Sequence, residues 1–231
     1  MKFLKKTLAP AGLALCAMAA ATPAAAQVDG RIATSSVSRA VVNTNALQAA
    51  FPQIQQTYSA QLQTLQTKQT ELNSLLMPFD VNRDSQIDAQ ESAALEASPN
   101  LAQIQTLRAE IGAIEEQVTA AQVYAVEQVL IQYQAALQEV VAQQQIVAMI
   151  DPSSLQYVAE GADVTEMVTA ALNTRAPSVA IVPPAGWRPS PESLQIFQEI
   201  QRRILLQQQA AARQQAAQQS GQQPAATPSG R

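Results

Sequence analysis

Between Asn45 and Met77, apolar residues recur at Leu47, Phe51, Ile54, Tyr58, Leu62, Leu65, Leu72 and Leu76, with Gln69 filling the one vacant turn. Steps of three and four mark one face of a long amphipathic helix. A second seam runs Leu101, Ile104, Leu107, Ile111, Ile114, Val118, Ala121, Ala125, Val129, Tyr133, Leu137 and Val140, behind Ser98 as cap and Pro99 at the first helical position. At 1.5 Å per residue the two would be rods of about 50 and 65 Å. Each stripe is narrow and the remaining faces are mostly Gln, Ala and Thr, so the expected arrangement is an antiparallel hairpin burying stripe on stripe. Two members of an ordinary bundle would show the same seams; the length favours a protruding coil.

Short β-like runs flank this hairpin. Arg39 to Asn43 precedes it, and Gln145 to Ile150 follows, closed by the turn signal Asp151-Pro152. Leu155 to Val158 reads as a third strand, and Val164 to Leu172 as a small helix capped by Asp163. Strands separated by so long a hairpin pair only if the chain returns to its starting point. The fold class expected is therefore mainly α with a small β body: a long antiparallel helical hairpin projecting from a short-stranded β oligomerisation domain. After Asn173 come Pro177, Pro183, Pro184, Gly186, Pro189 and Pro191, then, behind Ser190-Pro191-Glu192, one short amphipathic helix through Leu194, Phe197, Ile200 and Ile204. From Gln207 the chain is Gln and Ala with Ser, Gly and Pro, a composition read as disordered.

At the other end, Lys2, Lys5 and Lys6, the apolar run Leu8 to Ala21 and the small residues Ala24 to Ala26 follow the grammar of a secretory signal peptide cleaved before Gln27. A lipid-attachment reading at Cys16 would need a small residue where Leu15 stands. The organisation expected is thus a signal peptide over 1–26, a first strand within 27–45, the hairpin over 46–144, returning strands and small helix over 145–173, a Pro-rich segment with a short helix over 174–206, and a tail over 207–231. No later stretch approaches the roughly 20 apolar residues needed to cross a bilayer as a helix. The expected location is the periplasm.

Composition narrows the function. The 231 residues are 47% hydrophobic but only 4% aromatic, and there is no histidine. Alanine inflates the apolar count, which argues against a thick enzyme core. Without histidine, His-dependent triads and His-ligated zinc are excluded. Glu115 and Glu116, the nearest approach to paired carboxylates, are adjacent on a helix and diverge by about 100°. No enzymatic activity is expected. Cleavage before Gln27 would leave 11 basic against 18 acidic residues, a net charge of −7, with Lys68 the sole lysine and no cysteine. That balance speaks against nucleic acid and anionic lipid as partners, and it leaves stability to helix packing or oligomerisation rather than disulfides.

The most specific chemical motif lies at the hairpin tip. Asp80-Val81-Asn82-Arg83-Asp84-Ser85-Gln86-Ile87-Asp88-Ala89-Gln90-Glu91 reads as a twelve-residue EF-hand calcium loop. A hard cation of this size takes oxygen ligands at loop positions 1, 3, 5, 9 and 12 and a backbone carbonyl at 7. Asp80, Asn82, Asp84, Asp88 and Glu91 supply the side chains and Gln86 the carbonyl. Ser85 stands where glycine ordinarily permits a left-handed turn, which should weaken binding by about 1 kcal/mol. The plain alternative is an acidic, solvated turn.

The ends of the hairpin resemble the Skp/OmpH family of periplasmic chaperones. Val41-Val42-Asn43 and Pro52 occupy the places of that family's first strand and helix start, with Asn43 where the family has aspartate. The closing segment resembles it more: Ile146 to Asp151, Leu155-Gln156-Tyr157, and Gly161-Ala162-Asp163-Val164-Thr165-Glu166-Met167-Val168 with Ala171-Leu172-Asn173. The likeness spans about residues 38 to 173, with the tip loop as an insertion. It implies a homotrimer whose helical tentacles enclose unfolded outer-membrane proteins, an ATP-independent holdase. The other reading kept open is an exported coiled-coil structural or adaptor protein with calcium-binding tips.

Overall fold

The computed structural model describes residues 30–84 and 86–221. In chain order it has β1 (Arg31–Thr34), α1 (Val37–Val42), α2 (Asn45–Thr57), α3 (Ser59–Leu76), α4 (Ala89–Glu96), α5 (Leu101–Gln143), β2 (Ile146–Ile150), a 3-10 turn (Pro152–Ser154), α6 (Thr165–Arg175) and α7 (Pro191–Gly221). The fold is mainly helical with one small sheet, as the patterning implied. The expected signal peptide falls outside the described residues.

The hairpin is there, and polar contacts fix its direction. Glu71 accepts from the Gln103 amide at 2.9 Å, and Lys68 pairs with Glu110 at 2.6 Å. Because the partner on α5 moves forward as α3 is read backwards, the helices are antiparallel. Only the first half of α5 belongs to this arm. Its second half, carrying buried Ala121, Val126, Val129, Tyr133, Ala136 and Val140, forms the spine of the body. The first predicted helix is two: α2 ends at Tyr58, which is buried, and α3 begins beyond it with no buried residue of its own. α2 packs into the body through Leu47, Ala50 and Ile54. The ring nitrogen of Pro52 inside α2 has no hydrogen for the bond back to Gln48.

Two strand assignments change. Arg39 to Asn43 is not a strand: Val41 and Val42 lie in α1, where the Ser36 hydroxyl accepts the Arg39 N–H at 3.4 Å and Val41 is wholly buried. Burial against α5 and α6 overrides the modest preference of adjacent valines for strand. The first strand is instead Arg31–Thr34, parallel to β2 in register Ile32 with Ala148, Ala33 with Met149 and Thr34 with Ile150. Parallel pairing needs a long crossover, and the arm with α5 provides it. Leu155 to Val158 is irregular backbone. The third segment against the sheet comes later, where the Thr34 N–H donates to the Ala162 carbonyl and the Val164 N–H to the Thr34 carbonyl, both at 2.9 Å. Hence α6 leaves the sheet at once, and Val168 and Leu172 drive into the core. The cap of α5 also shifts slightly. The helix starts at Leu101 after Asn100, and Ser98 turns its hydroxyl to the Asn100 N–H at 3.1 Å.

The Pro-rich segment is a strap along α5. Gln128 clamps the backbone of Ala180 in both directions, at 2.8 and 2.9 Å, and the Trp187 indole donates to Glu127 at 2.8 Å while its ring meets Tyr124 edge-on at 5.2 Å. The strap delivers α7, whose start is capped by Ser190 accepting the Ser193 N–H at 3.1 Å and whose Ile196, Phe197 and Ile200 complete the core. Against the reading of disorder from Gln207, α7 continues to Gly221; residues 222–231 lie outside the described region. Alanine and glutamine are good helix formers, and a helix already nucleated on the body extends at little cost.

Candidate functional site

The tip is built on a second, small apolar cluster. Leu95 of α4 and Ile104 and Leu107 of α5 are buried there, apart from the continuous body core. Leu95 is the buried apolar residue of α4, so α4 and α5 each bury apolar side chains at this end of the arm. Met77 at the end of α3 is followed by Pro78, which supports a turn, and the N–H groups of Phe79 and Asp80 bond back to Leu76.

Within the loop, the predicted cation ligands share one short segment but serve the backbone. The Asp84 N–H donates to Asp80 at 3.1 Å and to Asn82 at 2.9 Å, and the Asp84 carboxylate accepts from the Gln86 N–H at 2.8 Å. Asp88 is the N-cap of α4, accepting from Gln90 at 2.8 Å and Glu91 at 3.0 Å. Glu91 completes a capping box, taking the Asp88 N–H at 3.1 Å. Its other oxygen takes the Val81 N–H at 2.7 Å. The Glu91 side chain is thereby folded inward and buried, a carboxylate held by backbone donors. Arg83 has φ +58°, a left-handed turn position beside Asp84. Ser85 lies outside the described residues. Among those described, no group of three or more acidic, histidine or cysteine side chains gathers as a metal ion would require.

Sequence reasoning assigned Glu91 to a ligand and missed its capping role, although Asp-x-x-Glu before a helical run is a capping-box signature. The exposed apolar residues of the tip were also missed. Val81 and Met77 are 81% and 71% exposed, among the most exposed large apolar side chains described. Two shallow cavities flank them: one of about 240 Å³ beside Leu76, Met77 and Ile87, and one of about 340 Å³ between Phe79, Val81 and Ala94.

In the body, Arg39 bonds to Asp163 and to the Thr165 hydroxyl, the latter at 2.9 Å, tying α1 to the start of α6. For Asp163, partial burial pushes the pKa up. The Thr165 hydroxyl, Arg39 and the Thr165 N–H outweigh it, and the net direction is below the ordinary carboxylate value. Tyr133 moves the other way: burial raises its phenol, opposed in part by the bond to Ser35 at 3.2 Å. The sheet leaves Ile32 and Val147 at least half exposed, with Tyr157 exposed nearby in sequence. No described helix is long and apolar enough to cross a membrane.

No family model matches the chain, and no curated protein does. Among solved structures it is similar to an OmpH-like chain from Caulobacter crescentus CB15, a candidate outer-membrane chaperone. The identity is 17% and the TM-score 0.42, over 78% of this chain and 95% of that one. At that score nothing about the activity of this chain follows from the likeness.

Proposed function

We propose that this protein is an exported, ATP-independent holdase chaperone that shelters unfolded outer-membrane proteins, working in the periplasm as a homotrimer. The observation that carries this reading is the division of the molecule into a packed body and a thin arm. α3 has no buried residue, so Leu62, Leu65, Leu72 and Leu75 stay partly accessible along a face otherwise made of Gln and Thr. Such a surface offers many weak, non-directional contacts to an unfolded chain and few strong ones. The resemblance of the Ile146 to Asn173 segment to the Skp/OmpH chaperones supports the same reading. Trimerisation is supported by the sheet: two strands are marginal alone, and Ile32 and Val147 stand exposed upon it.

The test is retention of a urea-denatured outer-membrane barrel in solution after dilution into buffer with and without the protein and without nucleotide. Suppressed light scattering at a ratio near one client per three chains is expected. Aggregation at the rate of the client alone would end the chaperone reading. A particle mass of a single chain would end the trimer.

Calcium at the tip is a separable part of this proposal. Its support is the register of Asp80, Asn82, Asp84, Gln86, Asp88 and Glu91. To bind, the side chains would exchange backbone N–H donors for the cation, so weak affinity in the range of about 0.1–1 mM is expected. Calorimetry on the wild type against the double variant Asp80→Ala, Glu91→Gln decides it: equal, negligible heats return the loop to an acidic turn.

A further inference from the structure

The tip combines two properties that the rest of the arm lacks. It exposes Val81 at a cavity of about 340 Å³ lined also by Phe79 and Ala94, and Met77 at a neighbouring cavity of about 240 Å³ shared with Leu76 and Ile87. The larger volume is at the low end of the range for ligand sites, about 300–1,000 Å³, and suits one large apolar side chain rather than a compact ligand. Around it the charge is one-sided. Asp88 is exposed in its lining, Asp84 and Glu96 are exposed close by in sequence, Asp80 is partly exposed, and Arg83 is the sole basic residue between Met77 and Ala97. A negative rim around an apolar cleft attracts an apolar anchor flanked by positive charge and repels the same anchor flanked by acids.

We propose that the tip groove between Val81 and Ala94 is a docking site for an extended polypeptide segment carrying one bulky apolar residue flanked by Lys or Arg. The site deepens the chaperone reading by naming the kind of client segment first engaged at the end of the arm. It rests on that reading only for where the segment comes from. Apolar contact supplies retention, and the acidic rim supplies selectivity and speed of encounter.

The experiment is fluorescence anisotropy with the full-length protein in chelator and low salt. The probes are three labelled peptides: a Phe anchor flanked by Lys, the same anchor flanked by Glu, and Lys flanks around Ser. The Lys-flanked anchor should bind about tenfold more tightly than either control, an advantage that shrinks as salt screens the rim. Met77→Ser with Val81→Ser should weaken it about fivefold or more. Both side chains are exposed, so unchanged circular dichroism and melting are expected. Asp84→Asn with Glu96→Gln should remove the preference for Lys over Glu flanks, and Val182→Ser, an exposed apolar residue on the distant strap, should change nothing.

Equal binding of Lys- and Glu-flanked anchors, or binding indifferent to Met77→Ser with Val81→Ser, overturns the proposal. So does concentration-dependent self-association lost in that variant, which would make a second copy the occupant. The barrel-retention assay run in parallel separates the two claims: retention without tip binding sinks only the docking site, and tip binding without retention sinks only the holdase.

Discussion

The body and the tip are both held by apolar clusters, but on different terms. In the body, elements more than a hundred residues apart in sequence meet. Val41 of α1, Ile54 of α2, Val126 of α5, Leu172 of α6 and Ile200 of α7 share one core, and polar pairs such as buried Ser38 donating to the exposed Glu199, at 2.7 Å, stitch helices that no local signal connects. At the tip, Leu95, Ile104 and Leu107 lie within thirteen residues of each other, and the loop closes on its own carboxylates. Between them, α3 contributes no buried side chain. Cooperativity follows contact, so the body should unfold as a unit while the tip opens independently at lower free energy. Under the proposed holdase function, a rigid base with a yielding end would suit the capture of a large, shapeless client.

The largest effect that would test this contrast is in the body. Leu172→Ala removes a fully buried side chain from the junction of α6 with α5. A loss of about 2–5 kcal/mol in global stability is expected, read from chemical denaturation. Leu95→Ala should be different in kind. The same type of truncation at the tip ought to raise hydrogen exchange and proteolysis of residues 77–100 while moving the global midpoint little. Should both variants shift the global midpoint alike, the tip and body are one cooperative unit.

Next in size is the inward carboxylate. Glu91→Gln keeps the shape but sets an amide N–H₂ against one of the backbone donors that Glu91 now satisfies. An unmet buried donor costs about 1–3 kcal/mol, felt as fraying of α4 and loss of its protection from exchange. Glu91→Gln with undisturbed protection would show that the capping box does not hold the tip shut. Below that stands the strap. Gln128→Ala breaks both bonds to Ala180 on a partly exposed surface, for about 1 kcal/mol of stability and a looser α7.

What could be read from the sequence follows the same division. The arm was legible because long seams at steps of three and four mark helices and their length favours a protruding coil, and Ser190-Pro191 announced the start of α7 as an N-cap followed by a first-turn proline. β2 was legible as an apolar run closed by Asp-Pro. The body was less so. Val41 and Val42 look like strand by propensity, yet their helix is decided by partners on α5 and α6 that are distant in sequence. The real β1, Arg31–Thr34, is four residues long with only two buried, too brief for a period to register. At the tip, the sequence located the acidic residues but not what they face. A carboxylate suited to calcium is equally suited to a ring of backbone N–H groups, and spacing alone does not separate the two. The exposed Met77 and Val81 were passed over because a lone apolar residue in a turn carries no periodic signal.

The smallest expected effect is a matter of pH and belongs to the body. Asp163 links α1 to α6 through Arg39 and the Thr165 hydroxyl and N–H, and its pKa is held below the ordinary value of about 3.9. A carboxyl whose folded pKa is depressed contributes stability that is present above its unfolded pKa and is lost as pH falls through that value and then through the folded one. Its side chain is 37% exposed, so solvent screening keeps the contribution small. Asp163→Asn should therefore be slightly less stable than wild type at pH 7. That gap should close as pH drops below about 4, where the wild-type carboxyl is itself becoming neutral. Asp151 gives a control, because its carboxylate is lowered by the Ser153 hydroxyl and N–H alone and joins no two helices. If the Asp163→Asn gap is the same at pH 7 and pH 3, the α1–α6 link is a matter of shape and hydrogen bonding, and the charge of the Arg39 pair contributes nothing to the body's rigidity.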